Sequence, residues 1–99
     1  MMLEREITVM RKKTLLNNAT DWYIQIDGRD YGIIHGGEVK KIRLDANRHT
    51  LLVYANDPNI GRVDEILIPE GNGDYVFHAA LSTALMGNAF KSCIKIKQL

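Results

Sequence analysis

The sequence predicts an all-β protein: an antiparallel β-sandwich of about seven to nine short strands, immunoglobulin-like or transthyretin-like. Three observations predict it. Tyr23 to Ile34 reads as a strand, an Asp27-Gly28 turn and a second strand. Asp-Gly between apolar-rich runs is a strong hairpin signal, because a type I′ turn needs two residues that tolerate positive φ. Apolar side chains recur at period two, most clearly at Trp22, Ile24 and Ile26, as a strand buried on one face requires. Turn formers punctuate the chain at the spacing of a sandwich, with no strand–helix–strand alternation. The 99 residues form one domain, 1–99, long enough to enclose one modest core.

Each element follows from its local pattern. Glu4 to Lys12 alternates, with Ile7 and Val9 on one face and Glu6, Thr8 and Met10 on the other. Asn17-Asn18-Ala19-Thr20-Asp21 is a cluster of turn formers. Trp22, Ile24 and Ile26 then point inward while Tyr23, Gln25 and Asp27 point outward. Tyr31 to His35 is the return strand, and Gly36-Gly37 breaks it. In Val39 to Leu44, Ile42 and Leu44 face inward and Lys41 and Arg43 outward; Val39 falls out of phase, which a bulge or a late strand start explains. Asp45-Ala46-Asn47-Arg48 is a turn. His49 to Ala55 is the most β-like segment. His49, Leu51, Val53 and Ala55 share one face, and Thr50, Leu52 and Tyr54 the other. Both faces are largely apolar, so this strand is central or covered on both sides.

Asn56 to Gly61 is a loop by composition. Val63 to Ile68 resumes a strand, which Pro69 ends. Gly71-Asn72-Gly73-Asp74 turns the chain again. Tyr75, Phe77, Ala79 and Leu81 alternate with Val76, His78 and Ala80. Ile94 and Ile96 against Lys95 and Lys97 make a one-sided last strand. Residues 82–91 admit two readings. Ala79 to Met86 contains good helix formers, whereas Gly87-Asn88 fits a two-residue hairpin turn. The hairpin is preferred, because Tyr75 to Phe77 already runs in a β phase.

Composition narrows the function. The formal net charge is +1, which argues against a nucleic-acid binder, since such proteins carry a basic excess or stripe. The pairs Lys12-Lys13 and Lys40-Lys41 lie near acidic residues and read as solvated strand edges. A single cysteine, Cys93, excludes an internal disulfide framework and fits a reducing compartment. No signal peptide and no run of the ~20 apolar residues needed for a membrane span is visible. The expected location is the cytoplasm.

Ile26-Asp27-Gly28, Gly32, Ile42-Arg43-Leu44, His49-Thr50-Leu51 and Val53 follow one another in an order that resembles the PEGA-type β domain. The resemblance covers Tyr23 to Tyr54. It implies an immunoglobulin-like or transthyretin-like sandwich of the non-enzymatic, surface- or scaffold-associated sort.

Catalytic chemistry finds little support. His35, His49 and His78 fit no local metal-ligand spacing. His49 and His78 read as half-buried strand residues with one ring nitrogen bonded to backbone, and His35 as a turn cap. Cys93 lacks a partner cysteine or a helix N-terminus to activate it and reads as a partly buried structural thiol. Asp64 and Glu65 point to opposite faces of a strand and do not act as a pair. No nucleophile elbow, phosphate loop or dinucleotide fingerprint occurs. The chain is therefore not expected to be an enzyme, and no cofactor or metal is expected.

The surface is more suggestive. Tyr23 faces away from the core, and Tyr31 lies across the hairpin from it. An exposed Tyr23–Tyr31 pair is the sharpest surface hypothesis, against the plainer reading of a cross-strand pair that stabilises the hairpin. Tyr54 and Leu67, with Leu52, also point outward. Tyr23, Tyr31, Tyr54 and Leu67 are the candidate partner- or ligand-binding residues. They point to a non-enzymatic interaction module that recognises a protein partner or a second copy of itself. The alternative is a sandwich that binds carbohydrate or another small ligand, using the aromatics and the loop from Asn56 to Arg62.

Overall fold

A computed structural model describes residues 4–13, 21–56, 60–86 and 89–99, and for residues 61–63, 83–86 and 89–92 the backbone alone. Nine strands are described: β1 Glu4–Arg11, β2 Trp22–Ile26, β3 Arg29–Ile34, β4 Val39–Asp45, β5 His49–Ala55, β6 Ile60–Val63, β7 Glu65–Ile68, β8 Tyr75–Met86 and β9 Ala89–Gln98. They form two sheets, in the orders β4-β1-β8-β9-β6 and β3-β2-β5-β7. There is no helix among the described residues, and so none long and apolar enough to cross a membrane.

The period-two pattern is the cause of the architecture. Ile7, Val9, Ile42, Leu44, Phe77, Ala79 and Ile94 come from the first sheet; Trp22, Ile24, Ile26, Ile34, Leu51, Val53 and Ile68 come from the second. All are buried in one cluster. Two one-sided sheets remove their apolar faces from water by facing each other. Each fully buried aliphatic or aromatic side chain contributes roughly 1.5–3 kcal/mol relative to exposure.

Charged residues close both ends of this core. β1 alternates Arg5, Ile7, Val9, Arg11 on its inner face, and both arginines are 3% exposed. Arg5 donates to the carbonyls of Asp45 (3.2 Å), Pro69 (2.6 Å) and Asn47 (2.6 Å). One guanidinium thereby gathers two turns at one end of the sandwich, a use suited to its fork of five donors. Arg11 lies with its guanidinium 3.9 Å from the centroid of the Trp22 ring and donates to the Ile34 carbonyl at 2.9 Å. Burial lowers the Arg11 pKa and Asp21 opposes that shift.

The Asp-Gly hairpin forms as the sequence predicts. Asp27 (φ 54°) and Gly28 (φ 80°) take the positive φ that a type I′ turn requires. The β2–β3 register then shifts by one residue: Ile26 pairs Arg29 and Gln25 pairs Asp30, but Tyr23 pairs Ile33 and Trp22 pairs Ile34. Tyr31 and Gly32 both stand opposite Ile24, and Gly32 has φ 103°. This bulge returns Ile34 to the inner face.

Several expectations need correction. The sandwich is not wholly antiparallel: β1 pairs β8 in parallel, and β6 pairs β9 in parallel. A chain that crosses from one sheet to the other arrives in the same direction as a strand already there. The segment Val63 to Ile68 is not one strand. It divides at Asp64, with β6 in one sheet and β7 in the other. Val39 needs neither a bulge nor a late start; it pairs Met10 in regular register and is 48% exposed on the outer face. β8 and β9, at 12 and 10 residues, are not short. They pair antiparallel to Met86 opposite Ala89, so the hairpin reading of 82–91 holds over the described residues. Gly87 and Asn88 themselves lie outside them, as do the turn residues Asn17 to Thr20 and residues 57–59 of the expected loop; Ile60 and Gly61, read as part of that loop, belong to β6.

Alternation makes a direct prediction. Ile24→Ala opens a cavity in the shared core and lowers unfolding free energy by about 2–5 kcal/mol. Its neighbour Gln25→Ala, on the outer face, changes it by less than about 0.5 kcal/mol. Urea denaturation of the two variants checks both values.

Candidate functional site

The two outer faces of the sandwich differ in chemistry. Over β1 and β4 the outer face is ionic: Lys41 pairs with Glu6 at 3.8 Å and Arg43 with Glu4 at 3.1 Å. The outer face of the β3-β2-β5-β7 sheet is apolar at its centre. Tyr23 stands opposite both Ile33 and Tyr54, and the Tyr23 and Tyr54 rings stack with centroids 5.3 Å apart. One strand position further, Leu52 lies between Gln25 and Glu65. Leu67, opposite Thr50, is 53% exposed. A shallow hollow of about 320 Å³, lined by Gln25, Asp27, Gly28, Thr50, Leu52 and Glu65, runs beside this strip.

Cross-strand register explains the strip. Antiparallel pairing places outward residues of neighbouring strands side by side, so Tyr23 and Tyr54 meet although far apart in sequence. The Tyr54 hydroxyl donates to Asp30 at 3.4 Å. Desolvation first, and the Asp30 carboxylate second, raise its pKa above 10.0.

Of the four candidate residues, the structure brings Tyr23, Tyr54 and Leu67 onto this face and separates Tyr31 from it. The expected Tyr23–Tyr31 pair does not form; Tyr23 opposes Ile33 and stacks on Tyr54. The reason is parity. Counted from the Asp27-Gly28 turn, Tyr31 falls opposite Ile24, an inward position.

Tyr31 instead lines an open cleft of about 510 Å³ at one end of the sandwich, with Glu4, Ile26, Arg29, Arg43 and Leu44 among its walls. Its polar wall is built around His49. The imidazole is 12% exposed, with Nδ1 2.5 Å from Asp27 Oδ2 and Nε2 2.7 Å from Asp45 Oδ1. Asp27 belongs to the β2–β3 turn and also accepts from the Thr50 amide at 2.9 Å. Asp45 ends β4 in the opposite sheet and accepts from the Asn47 amide at 3.0 Å. Burial is the largest single influence on His49 and lowers its pKa. The two carboxylates together outweigh it and hold the ring above its ordinary 6.5. Asp27 is held below 3.8, first by the His49 hydrogen bond and then by the Thr50 amide. Asp45 is held below 3.8, first by the Asn47 amide and then by His49.

His49 therefore bonds two carboxylates, not backbone as the sequence suggested. Its outward-facing relatives are simpler. His35 sits at the Gly36-Gly37 turn, where its carbonyl accepts from the Glu38 amide at 2.9 Å. His78 is half-buried in β8. Among the described residues no group of three or more His, Cys, Asp or Glu is placed to hold a metal ion. Cys93 is partly buried. Sequence reading missed the His49 cluster and the two buried arginines. The signal for the arginines was present, since Arg5 and Arg11 continue the Ile7 and Val9 phase. His49 shared the inward phase of Leu51 and Val53, but nothing local linked it to Asp27.

A double-mutant cycle tests the pairing. Removing Tyr23 and Tyr54 to Ala, singly and together, gives a coupling free energy clearly different from zero. The same cycle on Tyr23 and Tyr31 gives none, measured by chemical denaturation. Comparison of the chain with protein families, with curated proteins and with solved structures finds no match.

Proposed function

We propose that this chain is a non-enzymatic interaction module that docks onto a protein surface through the outer face of the β3-β2-β5-β7 sheet, a second copy of itself being the partner the chain supplies. The observation that carries the reading is the contrast between the two outer faces. Over β1 and β4 one carries the Lys41–Glu6 and Arg43–Glu4 ion pairs; the other turns Tyr23, Tyr54, Leu52 and Leu67 outward, with a hollow beside Leu52. Aromatic and aliphatic residues beside a cavity, rimmed by polar groups such as Gln25 and Glu65, are the make-up of an interface core.

The fold type we infer is transthyretin-like. An immunoglobulin domain keeps its first two strands in one sheet; here β1 and β2 lie in different sheets. This supports the resemblance to PEGA-type domains in its transthyretin-like form. A free Cys93 fits a reducing, cytoplasmic setting.

A second reading, binding of carbohydrate or another small polar ligand, draws on the cleft, where the Tyr31 ring stands beside Arg29 and Asp27. A thermal-shift screen against saccharides discriminates it from the first.

Light scattering over a micromolar to millimolar concentration series tests the docking face. The native chain associates, and Leu67→Glu weakens association about tenfold or more, because a carboxylate is then buried against an apolar partner surface. Leu67 faces outward, so the variant keeps its melting temperature. A native chain that stays monomeric throughout the series sinks the self-association reading.

A further inference from the structure

The charged groups of the cleft are not arranged only for display. His49 bonds, through opposite ring nitrogens, to carboxylates carried by different sheets: Asp27 from the β2–β3 turn and Asp45 from the end of β4. A neutral imidazole has a single N–H. It can donate to one of these carboxylates, and its other nitrogen then presents a lone pair to a negatively charged oxygen. Only the doubly protonated ring satisfies both bonds, as two charge-assisted hydrogen bonds. We propose that His49 is a proton-operated latch between the two sheets, closed while its ring carries both protons and open when one is lost. This goes beyond the docking reading and does not depend on it.

The surroundings suit the role. The latch forms a wall of the cleft, so releasing either carboxylate frees that wall. Asp27 N–H donates to the Thr50 carbonyl at 3.0 Å and Thr50 N–H to Asp27 Oδ1, so the turn is tied to β5 through the same residue. Arg5 holds the Asp45 and Asn47 carbonyls, which fixes the β4 end as the stationary side. The other charged or titratable groups facing the cleft are Glu4, Arg29, Tyr31 and Arg43. Glu4 is paired with Arg43. Of these groups, only His49 has an ordinary pKa near neutrality.

The sign of the effect is fixed. The folded-state pKa of His49 is raised above 6.5. The contribution of the latch is therefore complete below pH 6.5 and is lost as pH rises through the raised value. Asp27 and Asp45 have lowered folded-state values. Their contributions are present above the ordinary carboxylate range and are lost as pH falls through the lowered values. The latch is tightest between these limits.

NMR tests it directly. The His49 imidazole titrates with a midpoint above 6.5. Amide exchange at Thr50, whose N–H donates to Asp27 Oδ1, corrected for its intrinsic pH dependence, accelerates as pH passes that midpoint, while Val9 and Ile24 stay protected. In His49→Gln the acceleration disappears. Should that variant not fold, Asp45→Asn serves: the His49 midpoint drops, and the exchange step moves to lower pH with it. A midpoint at or below 6.5 overturns the proposal. So does an exchange step that persists in His49→Gln, or one that stays in place in Asp45→Asn.

Discussion

Everything in this molecule depends on the facing of two one-sided sheets across a single apolar layer. The burial of Trp22, Ile24, Ile26, Leu51 and Val53 against Ile7, Val9, Phe77 and Ile94 sets which strands can be neighbours and which side chains must face out. The core is bounded along β1 by Arg5 and Arg11, each buried and each carrying a charge that has to be met. Arg5 meets it with three carbonyls and Arg11 with the Ile34 carbonyl and the face of Trp22. A buried guanidinium is tolerated only when its donors are satisfied. The turns that satisfy Arg5 are consequently held in place, and Asp45 is held with them.

That chain of dependence links the core to the cleft. Asp45 is positioned by Arg5 through its carbonyl, and its carboxylate then meets His49. Asp27 is positioned by a type I′ turn that demands positive φ. Two independent backbone constraints, one in each sheet, thus set the spacing that a single imidazole bridges. On the opposite side of the β3-β2-β5-β7 sheet, the same alternation that fills the core turns Tyr23, Tyr54 and Leu67 outward, the two tyrosines half-buried and Leu67 exposed. The inner face makes the fold, and the outer face carries the strip that we propose for docking.

Local pattern made much of the fold legible. The Asp27-Gly28 hairpin, the inward set of β2 and β5, the turn at Asp45 to Arg48 and the β8–β9 hairpin all follow from residue type and period. The outward placement of Tyr23, Tyr54 and Leu67 was legible for the same reason. Tyr31 was misplaced, because its partner is decided by counting across the turn and not by chemistry. The division at Asp64 was hidden, since Val63 and the start of β7 flank it without a turn former, and no local signal tells which sheet each strand joins.

The amino-acid sequence by itself determined the class of the protein, most of its strands and which side of those strands is apolar, because a period of two is a property of the extended backbone. Only the tertiary structure decided the strand order, the parallel pairs β1–β8 and β6–β9, the stacking of Tyr23 on Tyr54 and the meeting of His49 with Asp27 and Asp45. Apart from His49 and Asp45, which lie four residues apart across the β4–β5 turn, those meetings join residues distant along the chain, and distance along the chain carries no information about direction of approach until the sheets close on each other.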